Sequence, residues 1–195
     1  MRELPEYGAK ARFREAGVPT PAGGVVSVHA GERHTSLPVD PPLVVKAQIP
    51  VSGRGKKGGI AFANTVDEAV AAIDDMAGAT IGGKRVDRVL VEEQIETVDE
   101  LYLSFTADGS GERPSMMFSS GGGQDVESTS ASRIGTRPID PLAGVYPYHV
   151  QEVVDAVDDE IPVSSHQLFR IAAPLWERFE ELDLRLLEVN PLGVT

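Results

Sequence analysis

The chain has 195 residues, 41% hydrophobic, 25% charged and 6% aromatic, a make-up that excludes global disorder. Its 30 acidic residues against 18 basic ones give a formal charge of −12, which argues against nucleic acid as a general partner. With no cysteine, disulfides, thiolate metal sites and a cysteine nucleophile are excluded.

The N-terminus is polar and helical in pattern, unlike a signal peptide, and no apolar run approaches the roughly 20 residues of a membrane span. A soluble, cytoplasmic protein is therefore expected. Residues 5–16 predict a short helix: Pro5 suits its first turn, Ala9, Phe13 and Ala16 share a face, and Gly17 follows at a C-cap position. VPTPAGG reads as a turn, GVVSV as a strand, and residues 30–42 as a polar loop ending in Pro41 and Pro42. Residues 43–49 form a strand that carries Lys46 inside an apolar run. PVSGRGKKGG follows as a loop and IAFAN as a strand. Thr65 and Glu68 make a capping box, behind which Val66, Ala69, Val70, Ile73 and Met76 mark an amphipathic helix.

Further along, residues 88–95 read as a strand, and the stretch from Glu100 continues in extended form. Residues 108–114 carry hairpin-turn chemistry, and the strand SMMFSS leads into a glycine run, Gly121 to Gly123. Residues 124–148 look irregular. Helices are expected over about 149–157 and 164–181, the second with Leu168, Ile171, Ala172, Leu175, Trp176 and Phe179 on its apolar face. LRLLEVNPLGV is a final strand. Strand pairs of hairpin type mixed with helices predict an α+β fold rather than a doubly wound parallel sheet.

The loop Gly53-Arg54-Gly55-Lys56-Lys57-Gly58 spells GxGxxG, but a strand follows it where a dinucleotide fingerprint needs a helix. The Walker pattern is absent. A strand–glycine loop–strand flap remains, which lets backbone N–H groups approach phosphate oxygens without Cβ interference. Arg54, Lys56 and Lys57 put three cations on it in an acidic protein, a use that charge-assisted bonds to phosphate would explain; a solvated hairpin tip is the bland alternative. Lys46 interrupts LVVKA, where an unpaired cation is costly to bury, and could reach the same phosphates from below; the alternative is an edge-strand lysine facing water. Glu92, in VLVEEQI, could accept from an adenine amino group or a ribose hydroxyl, and Glu100 could do the other job. Glu188 and Asn190 stand one residue apart on a strand, so both face one side, half of a hard-cation site. The four histidines, His29, His34, His149 and His166, share no ligand spacing, and the serine-rich stretch lacks a GxSxG elbow.

Taken in order, these motifs resemble the ATP-grasp region of the succinyl-CoA synthetase β subunit and its ADP-forming acyl-CoA ligase relatives. The resemblance is carried by LPEYGAKARFREAGVPTP, VVKAQIPVSGRGKKGG, NTVDEAV, LVEEQIETVDELYLSF, the glycine run, IDPLAGVYPYHVQEVV and LLEVNPL, and it covers essentially the whole chain. It implies an ATP-grasp fold over residues 1–195, two α+β lobes with the nucleotide between them: a small lobe of about 20–95, and a second of about 1–19 plus 96–195.

The resemblance further implies that Lys46 contacts the nucleotide phosphates, that Gly53, Arg54 and Gly55 cover them, that Glu92 and Ile95 line the adenine pocket and that Glu100 holds the ribose. Asn190 becomes a Mg²⁺ ligand, and Glu188 sits near a phosphorylated histidine of a partner α subunit. The implied ligands are ATP and Mg²⁺, with a small carboxylic acid and CoA in the complex. The implied reaction forms an acyl-CoA through acyl-phosphate and phosphohistidine intermediates, the protein positioning and neutralising phosphoryl groups.

The sequence departs from the family in GGGQD, where an acidic residue commonly precedes two glycines, and in Pro5 and Gly8 of the opening helix. The family's second metal ligand, an aspartate, and its C-terminal domain lie past the point matched by Thr195, so full turnover by this chain alone is not expected: another polypeptide supplies the rest, or the sequence is a truncation or a diverged stand-alone domain. Two rivals stay open: a non-catalytic nucleotide-binding or assembly module, and an ATP-grasp carboxylate–amine ligase.

Overall fold

The computed structural model describes residues 3–31, 36–51, 53–107, 113–123 and 129–195. Ser52 of the flap, His34, most of the expected 108–114 turn and residues 124–128 after the glycine run lie outside the described residues. The chain divides into two compact units, Met1–Glu15 with Pro19–Ile95, and Ala16–Val18 with Glu96–Thr195.

In the first unit, strands β1 (Gly23–Ser27), β2 (Leu43–Ala47), β3 (Ile60–Ala63) and β6 (Arg88–Glu93) form an antiparallel sheet in the order β1-β6-β2-β3. Leu43, Val45, Ala47, Val89 and Val91 alternate onto one face and form a core with Ala63 and with Ala69, Ile73 and Met76 of helix α2 (Val66–Met76). Thr65 caps that helix as expected: its hydroxyl accepts from Glu68 N at 3.2 Å, while the Glu68 carboxylate accepts from Asn64 N at 2.7 Å. Val66, expected on the apolar face, is half exposed; Ala69, Ile73 and Met76 are the residues of α2 that reach the core. A two-strand hairpin, β4 (Thr80–Ile81) with β5 (Lys84–Arg85), was not foreseen.

Helix α1 (Glu6–Glu15) has no buried residue, so the Ala9–Phe13 stripe is not what anchors it. Contrary to the expectation that joins the opening helix to the second lobe, it packs with the first unit. The reason is ionic: Glu6 and Lys10, one turn apart, reach side chains on β2 and β6.

The second unit pairs β10 (Leu186–Val194), β7 (Asp99–Thr106), β8 (Ser115–Ser119) and β9 (Ile134–Pro138) in that order, all antiparallel. The β9 strand falls in a stretch expected to be irregular. Helices α3 (Pro147–Asp155) and α4 (Ser165–Glu181) belong to the same unit. Its core joins Leu101, Leu103, Phe105, Met116 and Phe118 with Leu168, Leu175, Trp176 and Phe179, and the Phe105 ring meets Trp176 edge-on at 5.4 Å. Ser164 caps α4 through a reciprocal pair with Gln167. Among the described residues no helix is long and apolar enough to cross a membrane.

Candidate functional site

Lys46 lies on β2, an interior strand of the first sheet, and its side chain leaves on the face opposite the α2 core because Val45 and Ala47 take the other. It pairs with Leu90, while Glu92 pairs with Val44, so Lys46 and Glu92 are diagonal neighbours on one face. The edge-strand alternative for Lys46 therefore falls. Its ammonium group donates to Glu92 Oε1 at 2.5 Å and to Glu6 Oε1 at 3.2 Å. Glycine at position 23 makes room for this: a Cβ there would stand 2.6 Å from the Glu92 Cβ.

Glu92 is 1% exposed and takes bonds on both oxygens. Lys10 donates to Oε1 and Oε2 at 2.6 and 2.7 Å, and also pairs with Glu6 at 2.8 Å. The adenine contact expected of Glu92 therefore competes with two lysines; the bonds present make it their common anchor. Burial, with Lys46 beside it, pulls the Lys10 ammonium down to about 8 despite its bonds to Glu92. Glu6 and Lys10 were missed from sequence. Their one available signal is an acid and a base four residues apart on a helix with little apolar face.

The flap begins at Gly53, in the left-handed region at φ +61°, and turns through a 3₁₀ segment at Gly55–Lys57 to Gly58, at φ +81°. Its turns close on Arg54, whose carbonyl accepts from Lys57 N at 3.1 Å and Gly59 N at 2.8 Å. The Arg54 guanidinium reaches back to the sheet, donating to the Ala47 carbonyl at 3.1 Å and forming a short ion pair with Glu6 Oε2. Burial lowers its pKa from the ordinary arginine value. One carboxylate, Glu6, thus bridges the strand lysine and the flap arginine. Ile95 lies past the end of β6 and is 39% exposed.

The second unit holds the other expected residues. The Asn190 side-chain oxygen accepts from Gly123 N at 2.7 Å. Gly122 N donates to the Glu100 carbonyl at 2.8 Å, and a Cβ on Gly122 would stand 2.4 Å from the Leu101 carbonyl oxygen. At Gly123 the backbone, at φ +75°, favours glycine, and a Cβ would meet only the movable end of the Glu100 side chain, Oε2 at 2.5 Å. The glycine run thereby lies against Glu100 on β7 and Asn190 on β10. Glu188 and Asn190 are both exposed while Leu187 between β10 and the core is buried. The register shifts between Val189 and Leu192, which places Asn190 at the irregularity. Glu188 accepts from the Tyr102 hydroxyl at 3.2 Å. At the start of the glycine run Ser120 donates to Asp159 at 2.6 Å, and Arg133 bonds both of them. Those bonds hold the Asp159 carboxyl below its ordinary value.

The side-chain oxygens of Glu188 and Asn190 are of the kind a hard cation takes while keeping waters or phosphates in its shell. Among the described residues no three acids or histidines gather tightly enough to hold a metal by themselves.

The chain is 34% identical to the succinate–CoA ligase [ADP-forming] subunit β of Natronomonas pharaonis over 99% of its own length and 51% of that protein. It is 38% identical to the subunit of the same name from Thioalkalivibrio sulfidiphilus, over 98% and 52% respectively. It therefore spans about half the length of the curated relatives it matches. Among solved structures, the dinucleotide forming acetyl-coenzyme A synthetase 1 of Ca. Korarchaeum cryptofilum superimposes with a TM-score of 0.68 at 16% identity, covering 97% of this chain and 86% of that one. The ATP citrate lyase of Methanothrix soehngenii gives 0.57 at 22% identity, over 79% and 35%. Both share the fold. Residues 3–194 match the ATP-grasp domain family, and with two α+β units built on antiparallel sheets the chain belongs to it.

Proposed function

We propose that this chain is the ATP-binding component of an ADP-forming acid–CoA ligase of the succinyl-CoA synthetase β type, which forms a carbon–sulfur bond together with a partner chain. The observation that carries the proposal is the grip of Lys46 and Arg54 on one carboxylate, Glu6. A lysine on a sheet and an arginine on a glycine flap that converge on one anionic group are placed to neutralise phosphate oxygens. Gly53 and Gly55 let the flap backbone come close. Glu92, with both oxygens engaged, sets the direction of Lys46 at the floor of the site, and Ile95 lines the base pocket. Glu100 accepts from a ribose hydroxyl, and Asn190 supplies an oxygen to Mg²⁺, using the lone pair left after its bond from Gly123. Mg-ATP, when bound, supplies the phosphoryl group. Glu188 faces the phosphorylated histidine of an α-like, CoA-binding subunit. Relatives at 34% and 38% identity that are named as β subunits of a succinate–CoA ligase support this reading.

Isothermal titration with MgATP tests it. Saturable binding by the chain, abolished in Lys46→Ala, is expected; no binding, or binding indifferent to that substitution, sinks the proposal. Mixed with an α-like subunit, the chain is expected to release ADP only when both CoA and a small carboxylic acid are present. Release that depends on an amine and ignores CoA would point to a carboxylate–amine ligase instead.

A further inference from the structure

We infer that Glu6 is an internal competitor for the phosphate grip: its carboxylate sits between Lys46 and Arg54, and an incoming polyphosphate must exchange with it, weakening the hold on helix α1. The inference rests on the phosphate reading of Lys46 and Arg54 given above.

The two carboxylates of the cluster are not equivalent. Glu92 is 1% exposed, comes from an interior strand and holds Lys10 and Lys46 at 2.5–2.7 Å. Withdrawing it would leave two cations without their anchor in a place water scarcely reaches. Glu6 has a side chain 22% exposed and stands in the first turn of a helix that has no fully buried residue. A rotamer change moves it into water and leaves Lys10 still bound to Glu92.

Charge counting favours the exchange. Lys10, Lys46 and Arg54 face Glu6 and Glu92, a surplus of one positive charge, and withdrawing Glu6 doubles it for a multiply charged anion. Besides the bonds of Lys10 to Glu92, α1 is tied by Tyr7 N, which donates to Gln48 Oε1 at 3.2 Å, and by Arg88, which donates to the Tyr7 hydroxyl at 3.0 Å. Loss of the Glu6 contacts therefore registers along the helix.

The test titrates inorganic triphosphate into the full chain and into Glu6→Gln and Lys46→Ala, at low salt, by calorimetry. Glu6→Gln is expected to bind roughly three- to fivefold more tightly than the parent, the scale of partly exposed ion pairing by a single carboxylate, and Lys46→Ala far more weakly. Saturating triphosphate should also speed amide exchange over residues 6–15 of the unsubstituted chain, a readout that decides the matter if Glu6→Gln does not fold. Unchanged or weaker binding by folded Glu6→Gln, or slower exchange in α1, overturns the inference and makes Glu6 an aligning residue. If the parent binds triphosphate through Lys46 and only the Glu6 effect is missing, the phosphate site survives. If the parent binds neither triphosphate nor MgATP, both fall.

Discussion

Glu92 and Glu188 are both carboxylates on sheet strands, and each has a partner reaching over to it, yet their surroundings are opposite. Glu92 is 1% exposed and shares a cluster with three cations and a second carboxylate. Glu188 is exposed and accepts from the Tyr102 hydroxyl. The first unit draws its charges together around Glu92, the one carboxylate of the cluster that cannot turn to water. In the second, Glu188 and Asn190 lie at the surface of an ordinary apolar core. An interior cation cluster is a preformed seat for an anion, since its geometry is settled before a ligand arrives. Surface oxygens suit a cation that brings its own shell of water or phosphate, because Mg²⁺ gives up water reluctantly.

The comparison breaks most directly at the two glutamates. Glu92→Ala leaves Lys10 and Lys46 facing each other without their anchor, and is expected to destabilise the first unit by about 3–5 kcal/mol. Glu188→Gln keeps the shape and loses a solvated charge, with an expected change within about 0.5 kcal/mol. Urea unfolding of both variants decides: similar losses, in either direction, would show that burial does not separate the two sites.

A pH series sharpens the same contrast within the cluster. Lys10 is faced by Glu6 on its own helix, Lys46 from β2 and Glu92 from β6, with Arg54 of the flap paired to the same Glu6. Its pKa drops from 10.5 to about 8 on folding, chiefly because it is buried and then because Lys46 is near. Between those values the unfolded chain binds more protons than the folded one, so this group makes stability rise with pH over roughly 8 to 10.5. The stability of the parent relative to Lys10→Met should therefore climb across that window. A fall would mean that the bonds to Glu92 outweigh burial.

Much of this was legible in the sequence where a local rule operates. The lysine breaking LVVKA, the glycines of the flap and the Thr65 cap each depend on a few neighbouring residues. What escaped depends on distant ones. Glu6 and Lys10 meet Lys46 and Glu92 across 40 and 82 residues, and only the β2–β6 register together with the docking of α1 brings them together. The β9 strand escaped for another reason. Ile134–Pro138 has little apolar alternation, and its buried position is Gly135, where a Cβ would stand 2.0 Å from the Val153 carbonyl oxygen. Close approach of α3 at a glycine leaves no hydrophobic signal to read. The pair β4 and β5 is two residues long on each side, too short for periodicity to show.

His149 gives the second unit its own buried base, and a smaller effect. It is 5% exposed at the start of α3, and its Nδ1 accepts from Tyr146 N at 3.0 Å, which closes the helix cap. Tyr146 and Tyr148 pack on its ring, Arg137 of β9 faces it with Glu152 of α3, and Arg137 and Glu152 pair at 2.8 Å. Burial first, and Arg137 second, hold its pKa below the ordinary 6.5, against the pull of Glu152. The neutral ring is the form that folding selects, so its contribution is complete above pH 6.5 and is lost as the pH falls below that value toward the folded pKa. Protonation also removes the acceptor at Nδ1, a cap worth about 1 kcal/mol. Melting curves from pH 7.5 to 5 should show a fall in Tm for the parent that is blunted in His149→Gln, whose amide oxygen can still accept from Tyr146 N. A fall of equal size in both would assign the acid sensitivity to the carboxylates.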